Sequence, residues 1–420
     1  MKKIKVVWVC CFSNPEVRSH LKLGLDSIEY LRRKLLHKDD FETIVQNDVA
    51  LWDTRGINEF KKFDDVELHV ISAASYLKYS PQEFEADGIH YYFYKDDADF
   101  LWHKIRKAID KTYLFRHKKA NLYINRTIDK IQPDVIHLIG AENMYSSFVL
   151  ERPQGIPIIV YLQTLVSEPG FFEGYFMKAK SHKFVSELES NVIRRCEFIG
   201  TESDTFKKYV KEHIDKKANI LYMNVATNLP IQDKKTIKEY DFVYFAHGIK
   251  KACDFAIEAF IIAAKKYPQL TLDVVGKYDE AFKQLLVKRL DKYGLAANVT
   301  FEGLYPTHDD AVEQVKKARF ALLPFKVDYN PTTIPEAMSL GLPVVSTRTD
   351  GVKVLYKDGY NILLSDIGDH VALANNMIRL IESPELASNI QANAFKELKR
   401  DSNEVRMRHW VDIYKEVAKK

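Results

Sequence analysis

Short apolar runs alternate with helix-patterned segments along this chain, and the alternation occurs twice. KVVWVCCF (Lys5 to Phe12), VELHVIS (Val66 to Ser72), DVIHLIG (Asp134 to Gly140), PIIVYLQ (Pro157 to Gln163) and EFIGTES (Glu197 to Ser203) form a first series. DFVYFAH (Asp241 to His247), TLDVVG (Thr271 to Gly276), VTFEG (Val299 to Gly303), FALLPF (Phe320 to Phe325) and PVVST (Pro343 to Thr347) form a second. Such runs suit strands buried on both faces of a parallel sheet, which need helices to cover them. Helices are expected from Arg18 to Lys38 and from Ala120 to Ile131, the latter closed by Pro133. The pattern predicts doubly wound α/β architecture in two domains. At 420 residues the chain exceeds one ordinary core, and 46% hydrophobic residues suffice for two. The polar stretch Thr227 to Glu239 is expected to link them.

Charge and cysteines narrow the function classes. Lys and Arg number 62 against 58 Asp and Glu, a net charge of +4, which is too small to imply a nucleic-acid partner. Cys10, Cys11, Cys196 and Cys253 form neither a disulfide framework nor a zinc pattern; adjacent Cys10 and Cys11 are expected as apolar fillers on opposite faces of a strand. The start, MKKIKVVWVCCF, reads as a first buried strand rather than a signal sequence, because Ser13, Asn14, Pro15 and Glu16 end its short apolar stretch. No run approaches the ~20 apolar residues that span a bilayer, so the cytoplasm is the expected location. Asp99 to Lys119 interleaves Trp102, Ile105, Ile109, Leu114 and Phe115 with Lys and Arg. That composition would suit peripheral contact with an anionic membrane face and a lipid-linked acceptor; the competing reading is the solvated face of a core helix.

The chemistry concentrates in DYNPTTIPEAMSLGLPVV, Asp328 to Val345. A short helix is expected there between two strands, capped by a side-chain oxygen of Thr332 or Thr333, with Pro335 in its first turn and Gly341 and Pro343 as its stop. Its free N–H groups would face the carboxyl end of a strand, where open α/β sheets hold phosphates. Asp328 and Glu336 bracket the helix start. Carboxylates repel phosphate and accept from hydroxyls, so the pair suits a ligand with phosphate and polyol parts, such as a nucleotide sugar.

This segment resembles the carboxylate-x7-carboxylate region of retaining family-4 glycosyltransferases of the GT-B fold, also grouped as glycosyl transferases group 1. EAMSLGLPVV is intact from Glu336 to Val345, whereas the first acid is Asp328 and the usual glycines are Tyr329, Asn330 and Pro331. The resemblance implies two Rossmann-like domains facing a cleft. Residues 1–226 would bind acceptor and 227–402 the nucleotide sugar, with 403–420 as a helix crossing back to the N-terminal domain. In VYFAHGIKKACDFAIEAF, Lys251 matches the family's Lys and Asp254 the following acid, while the family's Arg is missing: His247 or Gly248 falls on its position, and Lys250 is a second cation nearby. The family uses these cations on the diphosphate leaving group. A solvated helix start is the competing reading for Lys250 and Lys251.

By the same resemblance Gly303, Leu304 and Tyr305 would border the donor base, Glu336 would hold ribose or sugar hydroxyls, Asp328 the transferred sugar, and Thr332 and Thr333 the phosphates. On the acceptor side, Arg18 and His20 either face the cleft or begin a helix. DVIHLIGAE retains His137 with Glu142 beyond, and a hydrogen-bonded core histidine is at least as good a reading of His137 as a functional one. Gln163 stands where many relatives carry His. The implied activity is metal-independent, retaining transfer from a UDP-, GDP- or ADP-linked sugar to a hydroxyl of a carbohydrate or lipid-linked acceptor, with no further cofactor and a role in polysaccharide or glycoconjugate assembly. The missing Arg, Asp328 and Gln163 also fit a catalytically weak or silent nucleotide-sugar-binding subunit partnering another transferase.

Overall fold

A computed structural model describes residues 3–24, 48–74, 77–95, 118–170, 179–231, 236–248, 252–327 and 331–419. The chain divides into two compact units, one of Met1–Ala226 with Asn403–Lys420 and the other of Thr227–Ser402. No helix among the described residues is long and apolar enough to cross a membrane. The basic aromatic stretch from Asp99 falls outside the described residues up to 117, and Lys118 opens the helix Lys118–Ile131.

The first unit is built on β1 (Ile4–Cys10), β2 (Val66–Ala73), β3 (Gln82–Ala86), β4 (Ile89–Tyr94), β5 (Val135–Ile139), β6 (Ile158–Tyr161), β7 (Phe198–Gly200) and β8 (Ile220–Leu221). They lie in the order β3-β4-β2-β1-β5-β6-β7-β8. All neighbours run parallel except β3 and β4. That edge hairpin is absent from the strand series expected above. Asp87 and Gly88 turn it, both with positive φ, the geometry that Asp-Gly provides at lowest steric cost.

One face of this sheet packs on the final helix, Asn403–Val417, which buries Met407, Trp410, Val411, Ile413, Tyr414 and Val417. Trp8 Nε1 donates to the Tyr414 hydroxyl at 3.0 Å, and that hydroxyl also bonds His137 Nδ1. At the start of β2, Asp65 accepts from Arg408 and Lys415, clamping the helix from its polar side. Burial opposes ionisation of Asp65, but the hydrogen bonds from Lys415 and Arg408 win and bring it down to about 2.

The expected helix from Arg18 is shorter and starts earlier. Asn14 caps Pro15–His20 by accepting from Val17 N at 2.8 Å, and Leu21 is already extended; residues 25–38 lie outside the described set. Cys10, Cys196 and Cys253 are buried, whereas Cys11 is exposed past the end of β1 and is no core filler.

The second unit carries β9 (Tyr240–Gly248), β10 (Leu272–Lys277), β11 (Val299–Gly303), β12 (Ala318–Leu323), β13 (Val344–Thr347) and β14 (Leu363–Ser365). Their order is β11-β10-β9-β12-β13-β14, all parallel. Two cores flank it, one led by Phe242, Tyr244 and Phe260, the other by Val243, Ile334 and Met338. Thr227 and Asn228, at the boundary, are buried rather than solvated.

Candidate functional site

The helix Thr333–Ser339 follows β12 and is almost wholly buried from Ile334 onward. Gly341 at φ +76 ends it in the left-handed conformation that favours glycine, and a Cβ there would sit 2.7 Å from Gln391 Nε2, which would have to shift. Neither threonine caps the helix with its side chain. Thr332 is already helical at φ −64 and ψ −24, because the turn begins one step earlier with Ile334 N bonded to Pro331 O. An Ncap oxygen needs an extended residue to reach forward. Thr333 Oγ1 is buried with no partner among the described residues.

Glu336 lies in the first turn with its side chain 8% exposed, and its Oε1 is 3.3 Å from His308 Nε2. His308 opens the helix His308–Val315 after β11. Thr307 caps that helix by accepting from Asp310 N at 3.1 Å, and Gln314 donates to Asp273 of β10 at 2.9 Å. The cap and the buried amide–carboxyl bond fix where His308 stands. Burial pushes Asp273 up to about 6, above the ordinary carboxylate range, against the hydrogen bond from Gln314 that favours its charged form. His308 was not among the residues singled out from the sequence. The signal was present in YPTHDD, where Thr307 and Asp310 have capping spacing.

Gly303 ends β11 with φ +85, Leu304 is half-exposed, and the Tyr305 hydroxyl donates to Glu302 at 3.1 Å. Burial, helped by Glu302, raises the Tyr305 phenol to about 12, so it stays protonated. Thr347 holds both backbone polar groups of Phe325 at 2.7 Å, fixing the chain as it leaves β12. The next residue, Lys326, pairs with Asp254 at 2.7 Å.

Lys250, Lys251 and Asp328 lie outside the described residues, and only the backbone of His247, at the end of β9, is described. The Lys326–Asp254 pair nevertheless joins the described flanks of both segments, because Asp254 follows Lys251 by three positions and Lys326 precedes Asp328 by two.

In the first unit, Arg18 is engaged rather than free. Its guanidinium donates to Ser13 at 2.9 Å and Asp48 at 2.8 Å. His20 stacks on Phe84 with ring centroids 4.8 Å apart. His137 is fully buried among Trp8, Trp410 and Tyr414, and burial drives its imidazole down to about 3. It is a buried, neutral imidazole held among aromatic rings, an environment in keeping with the packing reading of its apolar strand.

Glu142 follows the carboxyl end of β5, and burial raises it to about 7. Asn143 donates to its Oε1 at 2.9 Å. Gly140, at φ +86, lets the carboxylate lie where a Cβ would be only 2.9 Å away. Gln163 is half-buried just past β6. The loop bearing it is pinned by Glu189, which accepts from Val166 N and Ser167 N at 2.9 and 2.8 Å.

Residues 230–397 match the sequence profile of the family described as glycosyl transferases group 1, a stretch somewhat short of half the chain. The chain is 23% identical over 328 residues to an uncharacterized glycosyltransferase of Haemophilus influenzae, covering 76% of this chain and 87% of that one. It is 22% identical over 376 residues to an uncharacterized glycosyltransferase of Methanocaldococcus jannaschii, covering 86% and 93%. Among solved structures, a sucrose-phosphate synthase from Thermosynechococcus elongatus superposes with a TM-score of 0.69 at 14% identity, covering 99% of each chain. A glycosyltransferase from Rickettsia africae does so at 0.61 and 12%, covering 100% of each. The fold is therefore α/β of the GT-B type, with two parallel-sheet domains. The profile and the curated relatives together support a group 1 glycosyltransferase.

Proposed function

We propose that the protein transfers a sugar from a nucleoside-diphosphate sugar to a hydroxyl of a carbohydrate or lipid-linked acceptor, with retention and without a catalytic metal. The observation that carries the reading is Glu336. It is a buried carboxylate fixed by His308 at the start of the helix after β12, inside the stretch that matches the group 1 family. A carboxylate so placed accepts from hydroxyls, which suits ribose or sugar rather than phosphate.

The diphosphate is then the task of cations and backbone N–H groups. Lys251, with Lys250 and the His247 region, stabilises the charge that develops on the departing diphosphate. Thr332 and Thr333 border the phosphates, Gly303, Leu304 and Tyr305 the base, and Asp328 the transferred sugar. The leaving phosphate accepts the acceptor's proton, so no dedicated protein base is required. Arg18, His20, Glu142 and Gln163 are the acceptor-side residues of the reading, with Arg18 held by Ser13 and Asp48 and His20 stacked on Phe84.

A thermal-shift panel of UDP-, GDP- and ADP-linked sugars tests this. Ligand at about a hundredfold its Kd adds about 2.7 kcal/mol of apparent stability. One base should stand out, and that donor should then be turned over with an acceptor panel. If no nucleotide sugar shifts the transition, the reading fails.

A further inference from the structure

Away from the candidate site, three metal-ligating side chains converge on the β2–β4 pair. Glu67 and His69 are two apart on β2 and therefore share a face, and His90 stands directly opposite His69 on β4. One ligand atom from each of Glu67, His69 and His90 lies within 4.8 Å of the other two. The imidazoles stack with centroids 4.5 Å apart at 14°. Each ring has its Nδ1 near an oxygen: His69 Nδ1 is 3.2 Å from the Tyr92 hydroxyl and His90 Nδ1 is 3.3 Å from Glu85 Oε2. That leaves Nε2 as the ligating atom of each ring, and on His69 it already lies 2.8 Å from Glu67 Oε1.

We propose that Glu67, His69 and His90 bind a divalent transition-metal ion of the zinc class, pinning the β3–β4 edge hairpin to β2. Two imidazoles and one carboxylate form the nitrogen–oxygen donor set such ions favour, and oxygen partners on the second ring nitrogens orient metal-bound histidines. Zinc bonds of about 2.0–2.2 Å need the three ligand atoms drawn somewhat closer than they stand. The half-exposed His90 ring can rotate to do so. The cluster belongs to the first half of β2 and β4, whereas the candidate catalytic residues follow the carboxyl ends of strands. The ion's role is therefore structural.

Lys5 supplies a discriminating handle. Its ammonium lies 3.6 Å from Glu67 and also donates to Ile131 O at 3.2 Å. Metal and Lys5 compete for the same carboxylate, so Lys5→Gln should tighten binding while the histidine substitutions weaken it. The experiment is a Co²⁺ titration of tag-free, chelator-stripped protein, reading the d–d bands, followed by displacement with Zn²⁺. One equivalent should saturate the bands. His69→Gln and His90→Gln should each weaken binding by at least about tenfold, with circular dichroism confirming the fold. Absence of saturable binding, or bands that survive both histidine changes at unaltered affinity, overturns the proposal. So does a Lys5→Gln protein that binds no more tightly.

Discussion

The Tyr414 hydroxyl of the final helix bonds Nδ1 of His137 in β5, a contact spanning 277 positions of sequence. The same oxygen accepts from Trp8 Nε1, so one phenol satisfies two buried nitrogens on adjacent strands. Removing it would strand both. Tyr414→Phe is expected to cost about 2 kcal/mol, as an unpaired buried polar group typically does. Denaturant unfolding followed by tryptophan fluorescence measures the loss, and nucleotide-sugar affinity should be unchanged in the folded variant.

His308 is expected to act by positioning Glu336. His308→Ala should raise the donor KM by about tenfold or more, since small misplacements of a binding group are costly, and leave thermal stability nearly intact. His308→Gln, which retains a donor, should recover part of the loss. Equal kinetics for wild type and the alanine variant would show that the contact is incidental.

Glu142 gives a pH signature. Its folded value of about 7 stands above the ordinary 4.5, so the native state holds a proton that the unfolded chain has released. Stability therefore falls as pH rises from about 4.5 to 7, and the full penalty of about 3 kcal/mol applies above that range. Glu142→Gln should be more stable than wild type at pH 8 and indistinguishable from it near pH 4.5. If Glu142 also contacts the acceptor, transfer should drop in the variant while donor binding persists, the usual cost of a strained functional group.

Lys251 tests the leaving-group role. Lys251→Ala should lower kcat by about 10²–10³, the range for losing one group that stabilises developing charge, with less effect on donor binding. Measuring transfer and donor hydrolysis on the same preparation decides it, because unchanged rates for both would refute the assignment.

Much of the fold could be read from residue order because buried parallel strands are continuous apolar runs, as in VVWV of β1 and ALL of β12. The β3 arm of the β3–β4 hairpin lacks such a run: QEFEA alternates polar and apolar residues at a sheet edge, and the hairpin's sequence signal is the Asp87-Gly88 turn. Local structure was legible around Glu336, where the expected short helix after a buried strand is present. It was not where geometry depends on a neighbour's φ and ψ, as with Thr332, or on contact between distant loops, as with His308 and Glu336. His137 is a further case. Its sequence environment left a core and a functional reading open, and its burial among aromatic rings depends on a helix from the far end of the chain.

The final helix supplies Trp410 and Tyr414 to a core whose strands come from the first 226 residues. During synthesis, the first sheet thus emerges from the ribosome long before the side chains that seal one of its faces. Trp8 and Val70 must wait, exposed or transiently covered, until residues near 414 clear the exit tunnel. A chain cut short after the second unit would leave that apolar surface open, making the nascent N-terminal half a natural client for chaperones.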